Sequence, residues 1–236
     1  MTIQSDVYVI ILITVLLAVG IILLSKKIDQ LDPLEQPKGI VTPVLWGFEI
    51  VYNMVKSNVG EKYADGMTPY IVVLWVYIFL SNIISLFGLS SPTANLSVTL
   101  LLAFITWVMI QVVEFKYQGI GGYFHSFLEP IAVMLPMNIF GKFSTMVSMS
   151  LRLFGNILCG GIMMQLIYSF CQYLSNTLVG LITGGSGNVF NFIAPILAPL
   201  LHAYFDLFAG FIQTLVFVTL TVVLIGNDIP DEAKKA

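Results

Sequence analysis

The chain has 236 residues, of which 58% are hydrophobic and 10% charged, and its mean hydropathy is +0.93. A soluble domain carries about 25% charged residues, so the composition excludes a water-soluble globular enzyme and describes a polytopic membrane protein. The net charge of −3 is too small to argue for a nucleic-acid partner.

Residues 7–24 are apolar and uncharged, long enough to cross a bilayer. Lys26 and Lys27 follow them, whereas a secretory leader carries its positive charge first. The spacing predicts a retained helix over 7–25, with its N-terminus outside and its lysine end inside. Residues 28–67 change character, with Asp29, Asp32, Glu35 and Lys38 among prolines. Apolar residues at 44, 45, 48, 51, 52 and 55 then recur near the helical period. They predict an amphipathic helix over 40–58, lying on the inner surface or packed on the membrane domain.

Residues 69–89 and 97–113 predict a helical hairpin. Its outer link is uncharged, and its inner end is marked by Glu114 and Lys116. The Asn95-Leu96-Ser97 triplet arises too often by chance to carry weight as a glycosylation site. His125 reads as a loop histidine near the inner interface, and Glu129 before Pro130 suits the start of a helix.

The last two apolar segments, within 131–175 and 190–226, are too long for a ~30 Å hydrocarbon core. Apolar runs of their length give helices of ~55 Å at 1.5 Å per residue. They are read as two long, strongly tilted helices joined outside by an uncharged glycine-rich link, breakage being the other possibility. The expected fold is therefore a single all-α polytopic membrane domain of about five membrane helices plus an interfacial helix. This topology gathers the lysines on one side, with the C-terminus inside, and no internal repeat suggests an inverted-repeat transporter. Cys159 and Cys171 lie in apolar helical sequence and read as buried small hydrophobes, not as a disulfide or metal site. No metal or cofactor is expected.

Arg152 is the only arginine; the other nine cations are lysines. A charge at mid-membrane costs roughly 2.5–3.5 kcal/mol and faces protein or water. Arginine keeps its proton under burial where lysine gives it up, so a permanent charge is indicated. Only Asp206 accompanies it as a charge deep in the last two apolar segments. Asn156 lies four residues after Arg152, on the same face. His202 lies four before Asp206, and Gln213 seven after it, on one stripe. Gly160 and Gly161 would let another helix approach closely. Intramembrane Asp, His and amide chains are typical of proton relays. Asp206 could instead simply neutralise Arg152, His202 could be a packing residue, and the amides could be interhelical glue.

The run Arg152-Leu153-Phe154-Gly155-Asn156 within Met149–Gly161, supported by Gln213 in the last helix, resembles subunit a of F-type ATP synthases. Residues 1–130 match that family in layout more than in motif. The resemblance implies a stator subunit whose two long helices lie against a rotating ring of small c subunits. Arg152 would face the ring's mid-membrane carboxylate, with two offset ion half-channels beside it. It further implies peripheral stalk b subunits, the soluble catalytic ATPase head and a bilayer as partners. The chain would not be an enzyme in isolation, and protons or sodium would be the ion. Two departures stand out. Some members carry an ionisable residue where Gly161 stands, partnered at the position of Asp206, so the relay would rest on Asp206, with His202 one turn away. No acid occurs in 137–151, which leaves Glu129 as the candidate for the inner half-channel. The inside lysines and lack of a transit segment suggest a bacterial plasma membrane, although an organelle-encoded chain would look similar. A stand-alone transporter binding an anion through Arg152 and a non-conducting scaffold are the alternatives.

Overall fold

A computed structural model describes residues 5–29, 39, 41–128, 132–183, 191–230 and 234. The described residues form seven α-helices joined by short 3-10 turns and one π segment: α1 Ser5–Asp29, α2 Val41–Val59, α3 Glu61–Ile83, α4 Leu96–Leu128, α5 Leu135–Thr183, α6 Ala194–His202 and α7 Gly210–Asn227. Five helical stretches are long and apolar enough to cross a membrane, the last of them running from α6 through α7. The chain is an all-α, multi-pass membrane protein.

The core forms where α3, α4, α5 and α7 cross. Leu74, Ile78, Ala103, Met149, Leu153 and Phe217 make one buried cluster. Val55, Val59, Ile71, Val218, Val222 and Ile229 make a second, which brings the end of α2 onto α3 and α7. The first half of α2 instead presents Leu45, Trp46 and Phe48 outward. α1 buries only Val9 and Ile13 among its larger apolar residues and exposes most others, as expected of a helix whose solvent is lipid.

Several helix bounds differ from those expected. α3 begins at Glu61 and runs through Pro69, because one lost backbone bond does not end a helix whose neighbours are packed. α4 runs past Glu114 and turns sharply at Gly119, whose φ of 66 and ψ of 175 are open chiefly to glycine. The stretch after the turn is helical, so His125 stands in a helix and not in a loop. α5 is one unbroken helix of 49 residues, ~74 Å long. The last apolar segment is not broken: α6 passes into a π segment, Ala203–Ala209, and then into α7.

Lysine contacts gather at the end of the bundle where α2, α3, α4 and α7 meet. Lys56 pairs with Glu61 at 2.7 Å, Lys116 sits 5.6 Å from the Tyr63 ring centroid, and Lys142 pairs with Glu114. The opposite end is tied by uncharged groups. Ser91 donates to the Ser81 carbonyl, and Thr93 donates to Asn82 Oδ1 at 2.9 Å. Asn82 Nδ2 in turn donates to the Gly210 carbonyl at 3.1 Å and reaches Thr214 Oγ1 at 3.2 Å.

Candidate functional site

α5 carries Arg152 on an exposed face. Cys159, Met163, Leu166, Phe170 and Tyr173 continue that face at helical spacing, and all are exposed. Cys159 is thus not buried as expected, since seven residues place it two turns along from Arg152 on the same side; Cys171 is buried. Arg152 makes no ion pair or hydrogen bond among the described residues. A guanidinium on an apolar helix face, unpaired among the described residues, is costly in lipid.

Two contacts set the register of α5 against the last segment. The position of a Cβ on Gly160 lies 3.7 Å from Phe205 Cβ, and Met149 and Leu153 pack with Phe217. Asp206 therefore stands near Gly160, roughly 12 Å along α5 from Arg152. A Cβ on Gly160 would make only ordinary van der Waals contact with Phe205, and one on Gly161 would meet nothing within 4 Å, so neither glycine is needed for the close approach expected.

Asp206 does not pair with Arg152; it pairs with His202. His202 Nδ1 lies 2.6 Å from Asp206 Oδ2, and His202 Nε2 lies 2.9 Å from the Tyr168 hydroxyl. In the tautomer that satisfies both, Nδ1–H donates to the carboxylate and Nε2 accepts from Tyr168. The result is a three-membered chain, Tyr168–His202–Asp206, across the two long elements. Asn191 secures this end of the hairpin, accepting the Ala194 N–H at 3.1 Å and donating to the Tyr168 carbonyl at 3.3 Å. Asp206 sits at the centre of the π segment. Such segments recur at functional sites because the extra residue per turn re-aims a side chain. Of the expected stripe, His202 bonds Asp206, and Gln213 bonds neither among the described residues.

Asn156 and Gln213 fall in the stretch bounded by the Gly160–Phe205 and Leu153–Phe217 contacts. Asn156 Nδ2 and Gln213 Nε2 are both buried with no hydrogen-bond partner among the described residues. Two such donors between Asp206 and Arg152 form an intramembrane polar zone of a kind that is costly to leave unmade. Glu129 lies outside the described residues. Tyr168 was missed in the sequence because a lone tyrosine in an apolar helix carries no signal until the partner helix is placed.

The profile of the ATP synthase A chain family matches residues 7–226. The ATP synthase subunit a of Mycoplasma pneumoniae is 34% identical over 206 residues, covering 83% of this chain and 69% of that protein. The sodium ion specific ATP synthase subunit a of Propionigenium modestum is 30% identical over 220 residues, covering 86% and 67%. The subunit a of Staphylococcus saprophyticus is 28% identical over 236 residues, covering 96% and 90%. With its arginine on an outward helix face and a Tyr–His–Asp chain beside it, this chain belongs to the ATP synthase A chain family.

Proposed function

We propose that Arg152 is the fixed charge that faces the carboxylate of a rotor ring of c subunits, and that the chain is the ion-translocating stator of a bacterial F-type ATP synthase. The single observation that carries this reading is the exposure of Arg152 on the apolar face of α5, without a partner among the described residues. A fixed cation lowers the pKa of an approaching carboxylic acid and drives release of its ion. It also blocks direct cation leakage between the two half-channels. Tyr168, His202 and Asp206 lead inward from the outer side, and Asn156 and Gln213 bridge from Asp206 to Arg152.

In this reading α5 and the α6–α7 element lie strongly tilted along the curved ring. The N-terminus is outside, the lysine end and C-terminus are inside, and b subunits and the catalytic head complete the complex. The membrane potential contributes roughly 2.3 kcal/mol per charge per 100 mV, and the ring adds several such steps per ATP. The His–Asp pair favours protons as the ion, since imidazole and carboxylate exchange protons within hydrogen-bond reach. Sodium is the second reading, favoured by the sodium-specific relative, and withdrawal of sodium from the pumping assay separates the two.

The test is Arg152→Ala in the assembled synthase. Coupled ATP synthesis and ATP-driven pumping should both vanish while the complex still assembles. Normal coupled pumping by that variant would overturn the reading. Transport by the isolated chain, without a ring, would favour an anion transporter instead.

A further inference from the structure

At Gly119 α4 turns back, and the returning limb closes over the helix it left. Tyr123 donates to Gln111 Oε1 at 2.8 Å, and Asn138, near the start of α5, donates to the Phe127 carbonyl at 2.9 Å. Between the two limbs and α5 lies a cavity of ≈ 500 Å³, walled by Trp107, Gln111, Tyr123, Phe127, Ile139 and Lys142. Leu128, Leu135 and Phe143 complete the wall; like Ile139 they are exposed, so the cavity opens at the surface of the chain.

We propose that this cavity holds one acyl chain of a zwitterionic glycerophospholipid, whose ester carbonyls meet the Lys142 ammonium and the Gln111 amide. The site is separate from the Arg152 face and from the Tyr168–His202–Asp206 chain, and needs only a bilayer around the protein.

The wall selects hydrocarbon. It is built almost wholly of aliphatic and aromatic side chains, and two of its polar groups are already engaged. Trp107 Nε1 donates to the Lys142 carbonyl at 3.0 Å, and the Tyr123 hydroxyl donates to Gln111. A buried water requires about two to four polar partners, so water is a poor occupant. Protein interiors are otherwise close-packed, and the volume falls within the roughly 300–1,000 Å³ of small-molecule sites.

The remaining polar groups select the head. Lys142 pairs with Glu114, and its ammonium stands 4.5 Å from the Tyr123 ring centroid and 4.2 Å from that of Phe127. That pair is balanced, so an occupant brings hydrogen-bond acceptors and no net charge. The ester oxygens of a zwitterionic lipid do this. A free fatty acid would instead set its carboxylate against Glu114.

The position fits a lipid. The spanning stretch of α4 ends at Tyr123 and that of α5 begins at Leu135. The cavity thus lies where two crossings reach the membrane surface, the level at which lipid passes from hydrocarbon to ester and headgroup and at which tyrosine and tryptophan gather. By helical spacing, Leu135, Ile139 and Lys142 stand on the side of α5 that Met149 and Leu153 continue inward, not on the Arg152 side. What fills the cavity is therefore not what meets Arg152.

The test uses the whole complex, purified through a tag on this chain. It is reconstituted in phosphatidylcholine vesicles containing a minor share of phosphatidylcholine with a diazirine near the end of one acyl chain. One sample is irradiated in the vesicles. Another is re-extracted, washed with lipid-free detergent and then irradiated, and adducts are mapped by mass spectrometry. After washing, label should persist on peptides carrying Trp107, Phe127 and Ile139. Label on α1, whose larger apolar residues are mostly exposed, should fall at least about tenfold below it. Leu135→Phe combined with Ile139→Trp fills the cavity; it should lose the retained label while α1 in unwashed vesicles is labelled as in the wild type. If the double variant does not assemble, Ile139→Trp alone makes the comparison. Washing that strips the cavity wall and α1 equally shows ordinary surrounding lipid and overturns the proposal. So does full retained label in the filled variant. A wall unlabelled even in the vesicles means that a neighbouring subunit covers the site, which overturns it as well.

Discussion

His202 joins Asp206 to Tyr168: its Nδ1 lies 2.6 Å from Asp206 Oδ2 and its Nε2 2.9 Å from the Tyr168 hydroxyl. Residues acting as one relay give non-additive losses. Asp206→Asn should therefore slow ATP synthesis driven by an imposed outer-side gradient. Tyr168→Phe combined with His202→Ala should be little worse than the poorer single variant. Losses that multiply across the two single variants would mean that Tyr168 and His202 act separately.

Arg152→Lys tests whether a permanent charge is needed. Lysine escapes burial by deprotonating and lacks the planar fork that meets a carboxylate. Coupled synthesis should fall below about a tenth of wild type, with assembly unchanged. A lysine variant working at the wild-type rate would reduce the site to a mere positive charge.

Asn82 fastens α3 to the start of α7, immediately after the π segment, through the Gly210 carbonyl and Thr214, and accepts from Thr93 in the turn before α4. Asn82→Leu removes these three bonds, leaving Thr214 to the Gly210 carbonyl and Thr93 to Ser91. Thermal unfolding of the purified complex should show a loss of about 1–2 kcal/mol. The expected sign reverses if leucine repacks the gap better than the amide bonds held it.

Gly226 stands where a Cβ would come within 2.5 Å of the Asn58 carbonyl oxygen. Backbone, not a flexible side chain, is the obstacle. Gly226→Ala should destabilise the α2–α7 junction by about 1–3 kcal/mol, read as reduced subunit recovery and earlier proteolysis in α2. Unaltered recovery and proteolysis would show that the junction yields without cost.

Asp228 gives a pH dependence of stability with a definite sign. Its value is raised from 3.8 to about 6 in the folded chain, so the folded state holds the proton more tightly than the unfolded one. Its contribution to stability is full below the unfolded value and is lost as pH rises through the folded value. Asp228→Asn should therefore stabilise the complex above that window and bring no gain below it. Denaturation midpoints measured on both sides of the window check this; a gain independent of pH would assign the effect to something other than ionisation.

Much of this protein was legible in its amino acids because membrane solvent imposes simple rules. Apolar runs of spanning length had to become helices, since lipid satisfies no backbone groups. One arginine among nine lysines in an apolar chain marked its own importance through cost alone. The i to i+4 spacing by itself places His202 beside Asp206.

Tertiary structure decided what spacing could not. Whether Asp206 answers Arg152 or His202 depends on the register of α5 against α6 and α7, which the Gly160–Phe205 and Leu153–Phe217 contacts establish. The π segment around Asp206 has no simple periodic signature, because it reflects how α6 is led into a packed α7. Tyr168 entered the chain of hydrogen bonds only when a helix from another part of the sequence met it. Glu114 and Lys142, read separately, mark where helices meet water; folding pairs them across 28 residues of sequence. Periodicity is a local property of one helix, whereas pairing depends on the relative placement of several, and only packing determines that.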